Sequence, residues 1–485
     1  MKYEAVIGLE VHVQLDTKSK MFTRVPCGFG REPNSLTDCV VLGLPGALPV
    51  MNYEAIEKSI KVGLLLGCDI AETCKWDRKN YFYPDMPKNY QISQFDQPIC
   101  LGGEVEIEMP GESPAVMGKH RNVQLTRIHL EEDVGKLTHY EKDSLVDYNR
   151  AGSPLLEIVS EPDLFSPEEV FAYLTSLRNS LVYAGISACD MEKGQLRCDA
   201  NISVRPEGQK ELGTKVELKN LNTISGVKNG VEYEIKRQIR ALEKGEEIFQ
   251  ETRRWNPEQK YTTPMRSKEM AHDYRYFPDP DLMPVKIGRD WVEKLKKELP
   301  EKPFDKQRRF FQEMSLPYSI TSALCPDLAL CNFFEEANKL ANNPQKIANW
   351  VVNDLQRELS SKKTDDFQLP IDQSPVSPQN LAELVILIDK GSISNNVGKE
   401  LFPEMFSTGK TPSELVKEKG LEVKSDQGEI DSICAQAIEE DQDAAEKFRG
   451  GKEGAINALK GRVMKATRGQ ANPKLVDQTL RRLLS

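Results

Sequence analysis

Residues 7–15 place a carboxylate and an imidazole where they could act together. Ile7, Leu9, Val11, Val13 and Leu15 alternate with Gly8, Glu10, His12 and Gln14. Strict alternation predicts a half-buried strand, and on it Glu10 and His12 share one face, roughly 7 Å apart. Such a pair suits a divalent metal or a proton transfer. A solvated strand face could carry the same residues, so recurrence of the pattern matters. In 194–206, Leu196, Cys198, Ala200, Ile202 and Val204 alternate with Arg197, Asp199, Asn201, Ser203 and Arg205. In 213–220, Thr214, Val216 and Leu218 alternate with Lys215, Glu217 and Lys219. In 124–133, Ile128 and Leu130 alternate with Arg127, His129 and Glu131, running into Glu132 and Asp133. Joined in one sheet, these four strands make a floor of charge, which calls for a charged ligand.

Phosphoryl transfer needs such a surface: carboxylates for a metal, cations for phosphates, and positioning more than covalent help. Mg²⁺ takes one or two carboxylates plus phosphate and water, and a histidine among the ligands also admits Mn²⁺. No complete phosphate-binding loop or dinucleotide fingerprint is present; Gly409-Lys410-Thr411 lacks the earlier glycine. An ATP site would therefore use the charged sheet. Arg78-Lys79-Asn80-Tyr81-Phe82-Tyr83-Pro84-Asp85 sets two cations beside three aromatics, the mixture that meets phosphates and stacks on bases. A Pro-closed aromatic corner of the core would look the same. There is no Cys-x-x-Cys and no His-x-x-x-His, and Cys27 and Cys39 alone make a poor tetrahedral zinc site.

The elements that must position these groups read as α+β. A chain of 485 residues exceeds one core and predicts two to four domains. Residues 1 to about 290 are rich in short strands and turns. One helix is predicted over 167–184, with Ser166 as N-cap, Pro167 at the first position, Glu169 in a capping box and Gly185 ending it. Phe277–Pro284 reads as a linker. Residues 291–410 take helical spacing, and Thr411-Pro412-Ser413-Glu414 opens a further helical module, 411–485. No apolar run is long enough to span a membrane, and no basic-then-apolar leader precedes the first strand, so a cytoplasmic protein with reduced thiols is expected. Net charge is −10, against a generic nucleic-acid coat protein. Yet 447–485 carry ten Lys and Arg against Glu453 and Asp477, a local +8 that predicts contact with a polyanion.

Several motifs together resemble the GatB family, the tRNA-binding and transamidating component of the aspartyl/glutamyl-tRNA amidotransferases. They are Ile7–Gln14, Arg78–Asp85, His129–Asp133, Asp147–Gly152, Leu155–Asp163, Leu196–Asn201, Gly213–Asn220, Asp273–Pro278 and Gly461–Pro473. The resemblance runs from about residue 3 to the C-terminus. It implies a catalytic cradle over 1–290 with a mixed, largely antiparallel sheet, related to glutamine synthetase and guanidino kinases. An all-α connector over 291–410 and an all-α, tRNA-binding tail over 411–485 follow. The implied reaction uses ATP and Mg²⁺ to phosphorylate the side-chain carboxylate of Glu or Asp misacylated on tRNA. Ammonia then displaces the phosphate. The implied partners are an amidase (glutaminase) subunit, a small third subunit and misacylated tRNA.

Carried over by residue, the resemblance implies metal ligands at Glu10, His12 and Glu132. Alternation instead favours Glu131 on the charged face, so both glutamates remain candidates. Glu192, Asp199 and Glu217 match acidic cradle positions. Arg78, Lys79 and Lys215 are the candidate cations for ATP phosphates. Lys452, Lys460, Arg462, Lys465 and Arg468 are the candidate tRNA contacts. The chain departs from some members that bind zinc through four cysteines after the first strand: Thr23, Val25, Asp38 and Val41 stand there, and no zinc is expected. Lys193 stands where many members have an acid. Two rival classes are a non-catalytic tRNA-binding scaffold and a free-standing metal-dependent ammonia ligase. Intact acidic positions oppose the first, and the basic tail opposes the second.

Overall fold

The computed structural model describes residues 2–267, 273–362, 369–421, 427–467, 471 and 473–484. The chain divides into two compact units, residues 1–303 and 304–485.

The first unit is built on a mixed sheet of ten strands among the described residues. Its long members are β1 (Tyr3–Gln14), β2 (His120–Glu132), β3 (Pro154–Ser160), β4 (Leu196–Pro206), β5 (Val216–Lys219), β6 (Glu251–Asn256) and β7 (Tyr261–Ser267). Their spatial order is β7-β6-β5-β4-β1-β3-β2, with short strands beyond β2. All these pairs are antiparallel except β5–β6. The four alternating stretches thus lie in one sheet. The strand β3 is inserted between β1 and β2, where the sequence showed no alternation.

Alternation decides which face is covered. Ile7, Leu9, Val11 and Val13 join Ile128, Leu130, Leu156, Ile158, Cys198, Ala200 and Ile202 in one core, beneath helices α1 (Tyr53–Leu65), α2 (Pro167–Tyr183) and α3 (Ile224–Glu243). The core residues of α2 are Val170, Tyr173, Leu174, Leu177 and Leu181, the helical stripe seen in the sequence. Ser166 accepts from the Glu169 amide, as a capping residue should. The Glu169 carboxylate reaches one residue further than in the usual capping box and accepts from the Phe165 amide. With helices on one face, the polar residues of the strands are left on the other.

Phe277–Pro284 is not a linker. Phe277 and Pro278 pair with Arg78 and Asp77, Asp279 is buried against Arg78, and Leu282 enters the core. Pro-rich composition misled here, because proline is tolerated on an edge strand. The helix Arg289–Lys297 also belongs to the first unit: Trp291 stacks on Tyr53 at 4.9 Å and Leu295 is in the core.

Among its described residues the second unit is helical, with two separate cores. One runs from Phe310 to Val416, the other from Ile430 to Leu484. The capping box at Thr411 and Glu414 forms as expected, but the helix Pro412–Lys419 packs Leu415 and Val416 into the earlier core. The last core therefore starts beyond residue 421.

Candidate active site

Register across the sheet places Arg197 (β4), His12 (β1), Glu157 (β3) and His129 (β2) in one row on the polar face. His12 Nε2 lies 3.2 Å from Glu157 Oε2. His129 Nε2 lies 3.5 Å from the same oxygen and 3.6 Å from Glu131 Oε2. Ser93 donates its hydroxyl to Glu131 at 2.9 Å. One ligand atom each from His12, Glu131 and Glu157 lies within 4.8 Å of the other two, the one group among the described residues so placed that it could hold a metal ion. His12 and Glu157 keep a little exposure, while Glu131 and His129 are buried.

The electrostatics fit a site waiting for positive charge. Burial opposes ionisation of Glu157, yet the His12 hydrogen bond and the nearby His129 hold it well below the ordinary carboxylate range. Glu131 is likewise lowered against its burial, chiefly by His129. Burial disfavours a charged His12, but Glu157 and Glu131 outweigh it and raise the imidazole. Two carboxylate oxygens with one imidazole nitrogen form a donor set that fits Mg²⁺ or Mn²⁺.

Lys79 sits on a small three-stranded sheet, Asp77–Asn80 between Tyr90–Ser93 and Phe277–Pro278. Burial works against its charge, but Glu131, Tyr276 and Glu157 keep its pKa raised. Its ammonium lies 5.1 Å from the Tyr274 ring centroid. Beside the cluster, buried Asp133 accepts from Arg197 at 2.8 Å and Gln14 at 2.7 Å, with Arg150 at 3.6 Å. Burial would raise this carboxyl; the two guanidinium groups lower it.

The other sequence candidates fall into three groups. Glu10 faces Asp199 across β1 and β4 and accepts from Asn201 at 2.8 Å. Glu10, Asn201 and Lys215 line one open cavity of about 180 Å³. Lys219 bridges Asp199 at 2.5 Å and Glu217 at 3.1 Å, and Glu217 also accepts from Thr252. These residues share the polar face with the cluster without joining it.

Glu132 faces elsewhere. Its carboxylate pairs with Lys88 and accepts from the Ile92 amide, so the glutamate in the cluster is Glu131, as alternation favours. Arg78 is committed to Asp279 at 2.8 Å and Asp281 at 3.1 Å, under Tyr90. Glu192 lies on an exposed turn around Asp190.

Sequence reasoning missed Glu157. Its strand reads Leu-Leu-Glu-Ile-Val-Ser, and Leu155 and Val159 flank Glu157 on the same face. With apolar residues on both faces this strand shows no clean alternation, and the usable signal was a single acid in an apolar run. The loop after β1 is closed around Asp38. Thr23 donates to Asp38, whose other oxygen accepts from the Val40 and Val41 amides.

In the tail, Lys460 pairs with Asp477 and Arg462 with Asp441, whereas Lys452 and Lys465 are exposed with no ion pair among the described residues. Arg468 lies outside the described residues. Over residues 427–485 ten Lys and Arg meet nine Asp and Glu, so the folded tail is near neutral. Arg482 and Lys447 draw in Asp431 and Asp443, acids that lie before residue 447.

An acidic, histidine-bearing sheet face followed by helical modules is the build of a catalytic domain joined to C-terminal helical domains. The GatB/GatE catalytic domain model matches residues 5–293, and the GatB domain model matches 332–484. The chain belongs to the GatB family of tRNA-dependent amidotransferase subunits. It is 60% identical to the GatB subunit of the aspartyl/glutamyl-tRNA(Asn/Gln) amidotransferase of Opitutus terrae, covering 100% of both chains. It is 49% identical to the same-named protein of Thermoanaerobacter pseudethanolicus, again over 100% of both, and 46% identical to that of Geobacter sp. strain M21 over 99% of each.

Proposed function

We propose that this chain is the transamidation subunit of a heterotrimeric tRNA-dependent amidotransferase, with its reaction centre on the polar face of the β4-β1-β3-β2 sheet. The observation that carries this reading is the His12–Glu131–Glu157 cluster with Lys79 alongside. The finer likeness of the first unit to glutamine synthetase and the guanidino kinases belongs to the same reading.

A side-chain carboxylate oxygen of Glu or Asp on the misacylated tRNA attacks the γ-phosphorus of ATP, and ADP leaves. Ammonia, released from glutamine by the partner amidase, attacks the acyl carbon; inorganic phosphate leaves, and the nitrogen sheds a proton to the carboxylates of the floor. A divalent ion held by His12, Glu131 and Glu157 would neutralise the nucleotide phosphates. Lys79 adds a fixed cation, preorganised by its aromatic neighbours. Arg197 and Asp133 hold one another and keep the edge of the site rigid, a positioning role. In the tail, Lys452 and Lys465 give tRNA phosphates unpaired cations to meet. No helix among the described residues is long and apolar enough to cross a membrane.

The test is the reconstituted complex with ATP, ammonium chloride and Glu-tRNA(Gln) or Asp-tRNA(Asn). Gln-tRNA or Asn-tRNA with stoichiometric ADP supports the proposal. Tight tRNA binding without ATP-dependent amidation would make the chain a scaffold.

A further inference from the structure

Lys79 is flanked by a continuous run of aromatic rings. Tyr81 meets Tyr274 edge-on at 6.2 Å, Tyr274 meets Tyr276 edge-on at 6.1 Å, and Tyr276 stacks on Phe95 at 4.2 Å with the planes 8° apart. The Tyr276 hydroxyl is raised by burial but opposed by Lys79, with Glu131 and Glu157 also close enough to act on it. The middle of the run, Tyr274 and Tyr276, therefore lies beside Lys79, whose ammonium is 5.1 Å from the Tyr274 ring centroid. One end of the run is Phe95, which is 58% exposed.

That ring is costly to leave in water and is held there firmly. The Phe95 amide donates to Asp77 at 3.3 Å, and Lys75 clamps Asp77 at 3.0 Å and Asp96 at 2.7 Å. Tyr276 is fixed from the other side by the Phe277–Arg78 pairing and the Arg78–Asp279 bridge. A flat ring stacked on one face and largely exposed, two rings along from a lysine suited to phosphates, is the arrangement that takes a nucleobase.

We infer that Phe95, backed by Tyr276, is the stacking platform for the adenine base of a nucleotide whose phosphates approach Lys79. This rests on the proposed function and adds the base subsite to it. Two sources could present adenine here, ATP or the terminal adenosine of the tRNA; the experiment separates them.

Steady-state amidation is measured with Phe95→Ala and Phe95→Trp in the assembled complex. Phe95→Ala is expected to raise the KM for ATP about tenfold, the order of one base–aromatic stack, with kcat and the KM for aminoacyl-tRNA kept. Phe95→Trp should restore the KM, and its fluorescence should be quenched by ATP with Mg²⁺ but not by tripolyphosphate. If the tRNA is the source, the KM for aminoacyl-tRNA moves instead, and quenching requires the terminal adenosine. Unchanged KM values for both, with no quenching by either, would overturn the inference while leaving an active wild-type complex. An inactive wild-type complex would instead remove the proposed function.

Discussion

His12 and Glu157 face each other across neighbouring antiparallel strands, with the imidazole Nε2 3.2 Å from the carboxylate. This pair ties the first strand, whose chemistry is visible in the sequence, to a central strand whose chemistry is not. It places the cluster across β1, β3 and β2, where the proposed reaction centre lies.

Lys79 and its neighbour Arg78 should separate cleanly in mutants. Lys79→Ala removes a cation that is free to meet phosphate, so the KM for ATP should rise at least tenfold with little change in melting temperature. Arg78→Met leaves Asp279 buried without its partner, which should cost about 3–5 kcal/mol. Thermal denaturation alongside ATP kinetics checks both. Equal effects of the two substitutions on the KM for ATP would contradict the division of roles.

Lys20 should give stability a distinct pH slope. It is fully buried, and its ammonium donates to the carbonyls of Leu36 and Ala151, each at 2.6 Å. Burial lowers its pKa to about 8, below the ordinary lysine value. Between pH 8 and 10 the unfolded chain holds this proton more tightly than the folded one. The cost of burying the charge is complete below pH 8 and fades as pH rises, so stability gains about 1 kcal/mol per pH unit from this group. Urea unfolding of the full chain at pH 7 to 10, compared with Lys20→Met, reads the difference in slope. Parallel curves would show that Lys20 titrates normally.

The tail should bind RNA through its unpaired cations. A Lys452→Ala, Lys465→Ala double substitution should lower the slope of log affinity against log salt by roughly 2. Arg462→Ala should mainly loosen the tail fold, because its partner is Asp441. Filter binding of tRNA across a salt series decides between these. A full-strength slope in the double variant would place the RNA contact elsewhere. Truncation should begin after residue 421, since an earlier cut removes Leu415 and Val416 from another core.

The sequence revealed the site wherever one face of a strand meets helices and the other does not. Alternation placed Glu10, His12, Glu131, Asp199 and Glu217 on one face, and the register joins them there. It could not show Glu157, because apolar Leu155 and Val159 share that residue's face and hide the alternation. Nor could it assign Glu132, the last residue of β2, whose carboxylate answers to Lys88, 44 residues away in sequence. Local charge counting overstated the tail, because packing returns Asp431, Asp441 and Asp443 to its arginines and lysines.

The most direct measurement is ammonia-dependent amidation by the complex carrying Glu157→Gln. This substitution keeps the shape of the side chain and removes the charge that anchors His12. Formation of Gln-tRNA or Asn-tRNA and the matching ADP release should fall at least a hundredfold, while glutamine hydrolysis by the partner amidase persists and tRNA affinity is unchanged. Amidation within twofold of wild type would contradict a reaction centre at His12, Glu131 and Glu157.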